Sequence, residues 1–303
     1  MRSLETSRST RVRHSRHGGT HAMGWVILWA AVTIVGAVGA VASLNSVRFK
    51  QRVEREARAM AAASRESTTL TRSESTALPA PVQRYLRKAL GERSRPIARV
   101  RLRHGGQFRP SLSGSWLPIR GEQYFTTDPP AFIWWGRVRI APGVWIDARD
   151  RSVSGEGNMW VTMESTVTMA NSSGPELDQG ALLRLLGEMA WFPTAFLDNA
   201  YVTWTAVDNQ RAKATLQVNG RTVSGEFVFG ADDLPSAFHA ERYRDIGGGK
   251  SILTPFVGRV GDFRAVESIL VPYRVIGAWT VEDKTVDYAN FEVEQIEFDW
   301  RVP

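Results

Sequence analysis

The sequence predicts a mainly β fold, in which a large curved antiparallel sheet (a half-barrel) holds one apolar helix on its concave face. From Ile97 onward apolar and polar residues alternate with a period of two, which is typical of strands that bury one face. The alternation is interrupted at 175–192 by a segment that is apolar almost all round and must therefore be buried. The apolar face of a sheet must also be buried, so we expect the helix and the sheet to pack against each other.

Composition narrows the classes of function. The 303 residues include no cysteine, which excludes disulfides, zinc–thiolate sites and thiol catalysis. The net charge of +7 lies entirely in the N-terminal segment, because residues 1–76 carry 12 Lys and Arg against 5 Asp and Glu, whereas the remaining 227 residues carry 26 of each. A neutral body lacks the electrostatic footprint of a polyanion-binding protein, so we expect no nucleic-acid partner.

The N-terminal segment begins with a basic tail, residues 1–22, which contains His14, His17 and His21. We interpret these histidines as part of a disordered polar tail and expect no metal site and no cofactor. Met23–Leu44 follows, a run of 22 residues without a charge. Crossing a bilayer core takes about 20 such residues, so this run predicts a transmembrane anchor.

A cleaved signal peptide is the alternative, since Ala-Val-Ala at 40–42 fits the small-x-small cleavage rule. The apolar run is longer than the ~7–15 residues usual in signal peptides, which favours the anchor. Basic residues flank the run on both sides, so the positive-inside rule is nearly balanced. Because a short tail is easily retained and long domains translocate regardless of charge, we expect the body to lie outside the cytoplasmic membrane.

Residues 45–77 begin with a helical pattern and become rich in Ser and Thr, which predicts a juxtamembrane stalk and linker. The sheet domain is predicted to span 78–303 and to begin with a short amphipathic helix. Pro81 suits the start of this helix and Gly91 its end. Its apolar stripe should dock on the body and consists of Val82, Tyr85, Leu86, Ala89 and Leu90.

The turns between the predicted ten to twelve strands set the register. Asn219-Gly220 predicts a two-residue hairpin that places Leu216 opposite Val223. A three-residue loop at 208–210 is expected, because it places Trp204 opposite Ala214 on one apolar face. A two-residue loop at Asp283-Lys284 would place Trp279 opposite Tyr288.

The central helix carries two charges, Arg184 and Glu188, which share a face because they are four residues apart. Trp191, seven residues after Arg184, is expected on the same face. The structural interpretation is an intrahelical ion pair; the functional one is a polar handle for a ligand headgroup inside an apolar cavity. A catalytic Glu188 would need a second acid/base group, which the sequence does not identify.

Methionines suggest an adaptable apolar binding surface, although they also fill gaps in ordinary cores. We expect Met159, Met163 and Met169 to face inward on one strand stretch, with Met189 on the helix. The candidate ligand-binding residues are therefore Trp134, Met159, Met163, Met169, Arg184, Glu188, Met189 and Trp191.

Several motifs between Leu78 and Trp300 resemble an uncharacterised bacterial domain family. They include "LPAPVQRYLRKAL", "FIWWGRV", "GEGNM", "ELDQGALLRLLGEMAWFPTAFL" and "VPYRVIGAWTVEDKTVDY". The resemblance implies no activity and no catalytic residues. In architecture the body is similar to the half-barrel of periplasmic lipoprotein carriers, which implies a sheet that encloses an acyl chain, although fold does not fix function.

These observations favour a membrane-tethered extracytoplasmic module that binds a lipid or another apolar ligand. Two alternatives stay open. One is a hydrolase of envelope material with Glu188 as acid/base, and the other is a structural envelope module that binds another protein through a sheet edge.

Overall fold

The computed structural model describes residues 19–65, 78–91 and 95–300. Contacts divide the chain into two units, residues 1–44 and 45–303. The predicted mainly β architecture is confirmed, since thirteen strands of the described chain form a single sheet in which neighbouring strands pair antiparallel. The helices are α1 (Gly19–Ala62), α2 (Ala80–Leu90) and α3 (Pro175–Glu188), and two 3-10 turns follow α3 at Met189–Trp191 and Pro193–Leu197.

The strands run in chain order from β1 to β13. Their bounds are Arg99–Phe108, Leu117–Thr127, Pro130–Ala141, Val144–Val153, Glu156–Met163, Val167–Ser173, Val202–Ala206, Arg211–Val218, Arg221–Phe229, Pro235–Gly247, Lys250–Val266, Ile269–Val281 and Lys284–Phe298. Across the sheet the order is β6-β5-β4-β3-β2-β1-β13-β12-β11-β10-β9-β8-β7. The two edges, β6 and β7, are consecutive in the chain and are joined through α3.

This connection forces the sheet to curl around α3. The turn after β4 in one half of the sheet contacts the turn after β8 in the other half. There the Asn219 side-chain amide donates to the Ser154 carbonyl at 3.2 Å. Asp178 at the start of α3 ties both halves together. It accepts a hydrogen bond from the Gly157 amide at 2.7 Å and an ion pair from Arg221 at 3.1 Å. The sheet is therefore a half-barrel that closes at one end.

The core lies between the concave face and α3. Leu182, Leu183, Leu185 and Leu186 are at most 1% exposed, because the helix packs against β3–β6 on one side and β8–β10 on the other. The close approach needs a glycine at 187, where a Cβ atom would lie 2.8 Å from the ring of Phe238. The amphipathic stripe expected on α2 is also buried against the body, as predicted.

Two of the three predicted hairpin registers are confirmed. Leu216 pairs with Val223 through an Asn219-Gly220 turn whose residues both have positive φ, and Trp204 pairs with Ala214. The third prediction is wrong: the loop lies one residue earlier, which moves the partner of Trp279 by two residues. The loop is Glu282-Asp283, and Trp279 pairs with Val286.

A β-bulge between Gly277 and Ala278, on the side away from the turn, leaves Tyr288 without a direct partner in the ladder. Tyr288 still stacks on Trp279, with ring centroids 5.8 Å apart.

α1 contains an 18-residue stretch with a mean hydropathy of 1.8, so it is long and apolar enough to cross a membrane. A signal sequence near the N-terminus meets the same criteria. The helix does not end with this stretch but continues to Ala62.

Residues 45–62, assigned above to a stalk, pack on the convex face of the sheet. Every third or fourth residue points at the sheet and is at most 7% exposed: Phe49, Val53, Ala57, Met60 and Ala61. The Phe49 ring stacks on Trp160 at a centroid distance of 4.6 Å, and Trp135 belongs to the same cluster. On the flank of the helix, Glu56 lies 3.4 Å from Arg149, whose side chain is 6% exposed. Residues 45–62 therefore pack as part of the sheet unit, which begins before residue 78.

We expect Ala57→Asp to undock this helix, because Ala57 is 1% exposed and the new carboxylate would be buried without a partner. Such a buried charge costs several kcal/mol, roughly 3 or more. Trp135 and Trp160 lie beneath the helix, so undocking should red-shift tryptophan emission. It should also speed tryptic cleavage at the arginines of 52–58 in the full chain held in detergent.

Ala59→Asp is the matched control, since Ala59 lies on the same helix and is exposed. It should change stability by no more than about 0.5 kcal/mol. Equal protease resistance of the two variants would contradict the packing described for residues 45–62.

Candidate functional site

A polar seam lies between α3 and the concave face. Arg184 on α3 donates to Glu188 at 2.8 Å, to Asp150 at 2.7 Å and to the Gln123 carbonyl at 3.1 Å. Gln123 in turn donates its amide N–H to the second Glu188 oxygen at 2.6 Å. The ion pair expected from the i, i+4 spacing is therefore present. Two inward-facing strand residues, Gln123 and Asp150, complete its hydrogen bonds.

Strand register and two aromatic rings hold the seam in place. Gln123, Trp134 and Asp150 are direct cross-strand neighbours on β2, β3 and β4, so their side chains share the concave face. The Arg184 guanidinium lies 5.0 Å from the ring centroids of both Phe132 and Trp134. Arginine is suited to such a position because its planar group stacks on rings while its edges donate hydrogen bonds.

Two carboxylates share one guanidinium in this seam, which leaves one excess negative charge in a mostly buried place. Burial raises the pKa of Glu188 above its ordinary value, against the opposing effect of Arg184. For Arg184 burial lowers the pKa, but Glu188 and Asp150 outweigh it, so the pKa lies above the ordinary value. Arg184 therefore stays charged and neutralises one carboxylate.

His104 marks the border of the region that α3 fills. Its Nε2 accepts a hydrogen bond from the Trp134 indole at 2.9 Å. Because an indole N–H only donates, the neutral imidazole must carry its proton on Nδ1. Burial lowers the pKa of His104 to about 4, so the ring is uncharged at neutral pH.

Both rings lie flat on the sheet because the strand positions beneath them are glycines. A Cβ atom at Gly121 would lie 2.2 Å from His104 Nε2, and one at Gly136 would lie 2.2 Å from the Trp134 ring. The Phe291 ring stacks on the other side of His104 at 4.5 Å. Phe291, His104 and Trp134 thus form an aromatic partition across the concave face.

Beyond this partition the concave face is apolar and only half-buried. We define the open concave surface by residues that register places on this face and that retain partial exposure: Phe108, Leu117, Ile146, Val260, Val275 and Phe291. α3 packs on the strands at the other side of the partition. The half-barrel is therefore filled at one end and lined with apolar side chains at the other.

The chain enters the sheet unit at the end where this surface lies. Asn45 donates to Thr166 at 3.1 Å, in the turn between β5 and β6, and Ser46 accepts from Arg137 at 2.6 Å. That turn follows Met163, which register places in the same cross-strand row as Ile146. The open concave surface and the first residues after the apolar run therefore belong to one end of the half-barrel.

The structure brings only some of the predicted site residues together. Trp134, Arg184 and Glu188 meet in the seam, and Met159 is half-buried opposite Asp150 on the neighbouring strand. Met189 is fully buried in the core. Trp191 lies beyond the end of α3, so it does not follow the helical periodicity. It packs on Phe125 and donates its indole N–H to the Pro272 carbonyl at 2.9 Å.

Met163 faces the concave side opposite Ile146, as expected, although it is 39% exposed. The expectation that Met169 faces inward is wrong, since it is 54% exposed. β6 is an edge strand whose residues are all exposed. A bulge between Val161 and Thr162 also takes Met169 out of the inward alternation.

Sequence reasoning missed Gln123, Asp150 and His104. They could have been found as polar residues at strand positions whose alternation predicts an inward side chain. A polar residue among apolar inward neighbours indicates a buried group that needs a hydrogen-bond partner. Within the described residues no group of three or more His, Asp or Glu could hold a metal ion. The tail histidines His14, His17 and His21 fall outside the side chains that the structure describes.

These features define a class of protein: a curved antiparallel sheet wound around one helix, with an apolar concave face left half open. The profile of the family of unknown function DUF6544 matches residues 68–291, and the chain belongs to that family. No curated protein matches the chain. Among solved structures, a LolA superfamily protein from Nitrosomonas europaea is similar, with 10% sequence identity and a TM-score of 0.37 over 76% of this chain and 94% of that one.

We expect Arg184→Met to destabilise the domain more than Glu188→Gln does. Removing Arg184 leaves Asp150 and Glu188 buried without a counterion, at a cost of about 3–5 kcal/mol. Glu188→Gln leaves a neutral Arg184–Asp150 pair, so its cost should be smaller. Urea unfolding of the full chain in detergent, followed by circular dichroism, measures the difference.

Asp150→Asn serves as a second control, because it leaves the Arg184–Glu188 pair intact. The excess-charge account of the seam is wrong if Glu188→Gln and Arg184→Met are equally destabilising.

Proposed function

We propose that this protein is a membrane-tethered module that binds a lipid or another apolar ligand on its open concave surface. The observation that supports the proposal is the half-filled sheet. A curved face whose apolar side chains stay partly exposed is the concave, mostly apolar environment that small-ligand sites provide. The aromatic partition gives such a site a rigid inner wall.

The position of the chain entry supports the tether. The open concave surface lies at the end of the half-barrel that contains Asn45, directly after the uncharged run Met23–Leu44. In this proposal an acyl chain enters the half-barrel at this end. In this proposal the seam of Arg184 closes the inner end of the site and does not grip a headgroup.

The hydrolase hypothesis has less support. Both oxygens of Glu188 accept hydrogen bonds, from Arg184 and from Gln123. The nearest carboxylate, Asp150, is bound to the same guanidinium. A general acid/base must reach the substrate proton within ~3 Å, and Glu188 would first have to leave these partners.

Val275→Glu tests the site directly, because Val275 is half-buried on the open concave surface beside Val260 and Phe291. A carboxylate there should lower the affinity for an apolar ligand by about tenfold or more, since it must be desolvated on binding. Native mass spectrometry of the full chain, released from detergent in the presence of dioleoylglycerol, counts the retained lipid.

Ile276→Glu is the matched control. It lies next along β12, is equally half-buried and points to the opposite face. A wild-type chain that retains no lipid, or equal retention by both variants, would refute the proposed site. In that case crosslinking from the exposed edge strand β6 would test the structural-module alternative.

We also propose that the body lies outside the cytoplasmic membrane. A phosphatase reporter that works only outside the cell should be active when fused after Pro303, because the short basic tail before Met23 is expected to stay inside. A fluorescent protein that matures only inside should be dark at the same position. The reverse pattern would contradict this orientation without affecting the ligand site.

A further inference from the structure

The convex face contains a cleft that the proposed apolar site does not use. A cavity of about 480 Å³ lies between the turns of α1 that follow residue 45 and strands β1–β3 and β13. Its charged walls consist of Lys50, Arg103, Arg120 and Arg137 on the basic side and Glu54, Glu122 and Glu294 on the acidic side.

Most of these charges already have partners. Arg137 makes a two-pronged contact with Asp147, at 2.8 and 2.9 Å, and the Asp147 side chain is fully buried. Glu122 is 4% exposed and accepts from Arg101 at 2.6 Å, with Lys50 at 3.4 Å from its other oxygen. These pairs account for the structural part of the charge in the cleft.

Arg103 and Arg120 are different. Both side chains are exposed and point to the convex face, and within the described chain neither has an ion pair or hydrogen bond. Arg120 is also directly opposite Arg137 across the β2–β3 ladder. Asp147 neutralises Arg137. Glu122, which is opposite Arg103 across the β1–β2 ladder, is bound to Arg101. Glu294 contributes one opposing charge to the cleft, so Arg103 and Arg120 leave it with positive charge that an anion can bind.

The place of the cleft along the chain indicates which anion. Lys50 is six residues beyond the uncharged run Met23–Leu44 on the same continuous helix, which corresponds to about 9 Å of helix rise. The headgroup layer on each side of a bilayer is about 5–7 Å thick. The cleft residue Lys50 is thus close in the sequence to the predicted membrane segment, beside which anionic headgroups are available.

We propose that this cleft binds a phosphate group, with the headgroup of an anionic lipid as the source that its position favours. Arg103 and Arg120 supply planar guanidinium groups that match phosphate oxygens. The inference rests on the membrane tether of the proposed function but not on its concave ligand site. Headgroup binding here would hold the half-barrel against the leaflet.

The experiment compares two lipids with the same acyl chains in micelles of the full-length protein. Dioleoylphosphatidylglycerol carries a phosphate headgroup and dioleoylglycerol carries none. We expect native mass spectrometry to show tighter binding of the phosphate lipid to the wild-type chain. In the double variant Arg103→Gln/Arg120→Gln, the affinity for the phosphate lipid relative to dioleoylglycerol should fall about tenfold or more, because charge-assisted hydrogen bonds are removed.

A matched double variant, Arg87→Gln/Arg274→Gln, removes two exposed arginines away from the cleft and should keep the preference. Thermal unfolding checks that both double variants remain folded. Equal binding of the two lipids by the wild type, or an unchanged preference in Arg103→Gln/Arg120→Gln, would overturn the proposal.

Inorganic phosphate separates the sources. If the headgroup is recognised as part of a lipid, millimolar phosphate should not displace the phosphate lipid. If phosphate alone binds and the binding is lost in Arg103→Gln/Arg120→Gln, the phosphate site stands and its source is soluble. Val275→Glu should weaken the binding of both lipids equally and leave the preference for the phosphate lipid unchanged. The proposals for the concave site and for the cleft are therefore tested independently.

Discussion

The burial of α3 inside the sheet is the interaction on which the rest of the structure depends. Because α3 joins the two edge strands, packing its leucines on the concave face draws the edges together and curls thirteen strands into a half-barrel. The same packing buries Arg184, which must then be neutralised and hydrogen-bonded. Asp150 and Gln123 meet this requirement from the strands, so the polar seam is a consequence of where the helix lies.

Both faces of the sheet have helical cover, and in each case the cover is incomplete. On the concave side α3 stops at the partition formed by Trp134, His104 and Phe291, and the open concave surface begins there. On the convex side the C-terminal part of α1 packs on Trp135 and Trp160. Beside it remains a cleft with two arginines that form no ion pair within the described part of the chain. The incomplete covers leave the two surfaces for which we propose ligands. The open concave surface would bind an apolar ligand, and the convex cleft would bind an anion.

Much of the fold could be predicted, because it follows from local periodicity. Alternation identified the sheet, helical apolarity identified α3, and turn chemistry identified the registers at Asn219-Gly220 and Trp204. The candidate site could be predicted only in part. Arg184 and Glu188 are close in sequence, but Gln123, Asp150 and His104 come from separate strands. Met169 was misplaced because periodicity does not distinguish an edge strand from a central one.

The sequence by itself determined the elements, the one-sided polarity of the strands, the neutral body and the uncharged run near the N-terminus. The elements, the polarity of the strands and the uncharged run are local patterns, and the neutral body is a count over the residues after 76. Only the tertiary structure decided that residues 45–62 cover the convex face, although Phe49, Val53 and Ala57 already form a stripe. It also decided that Arg184 binds two carboxylates, whereas among the described residues Arg103 and Arg120 bind none. The physical reason is that a stripe or a charge does not specify its partner until the curl of the sheet brings distant strands and helices together.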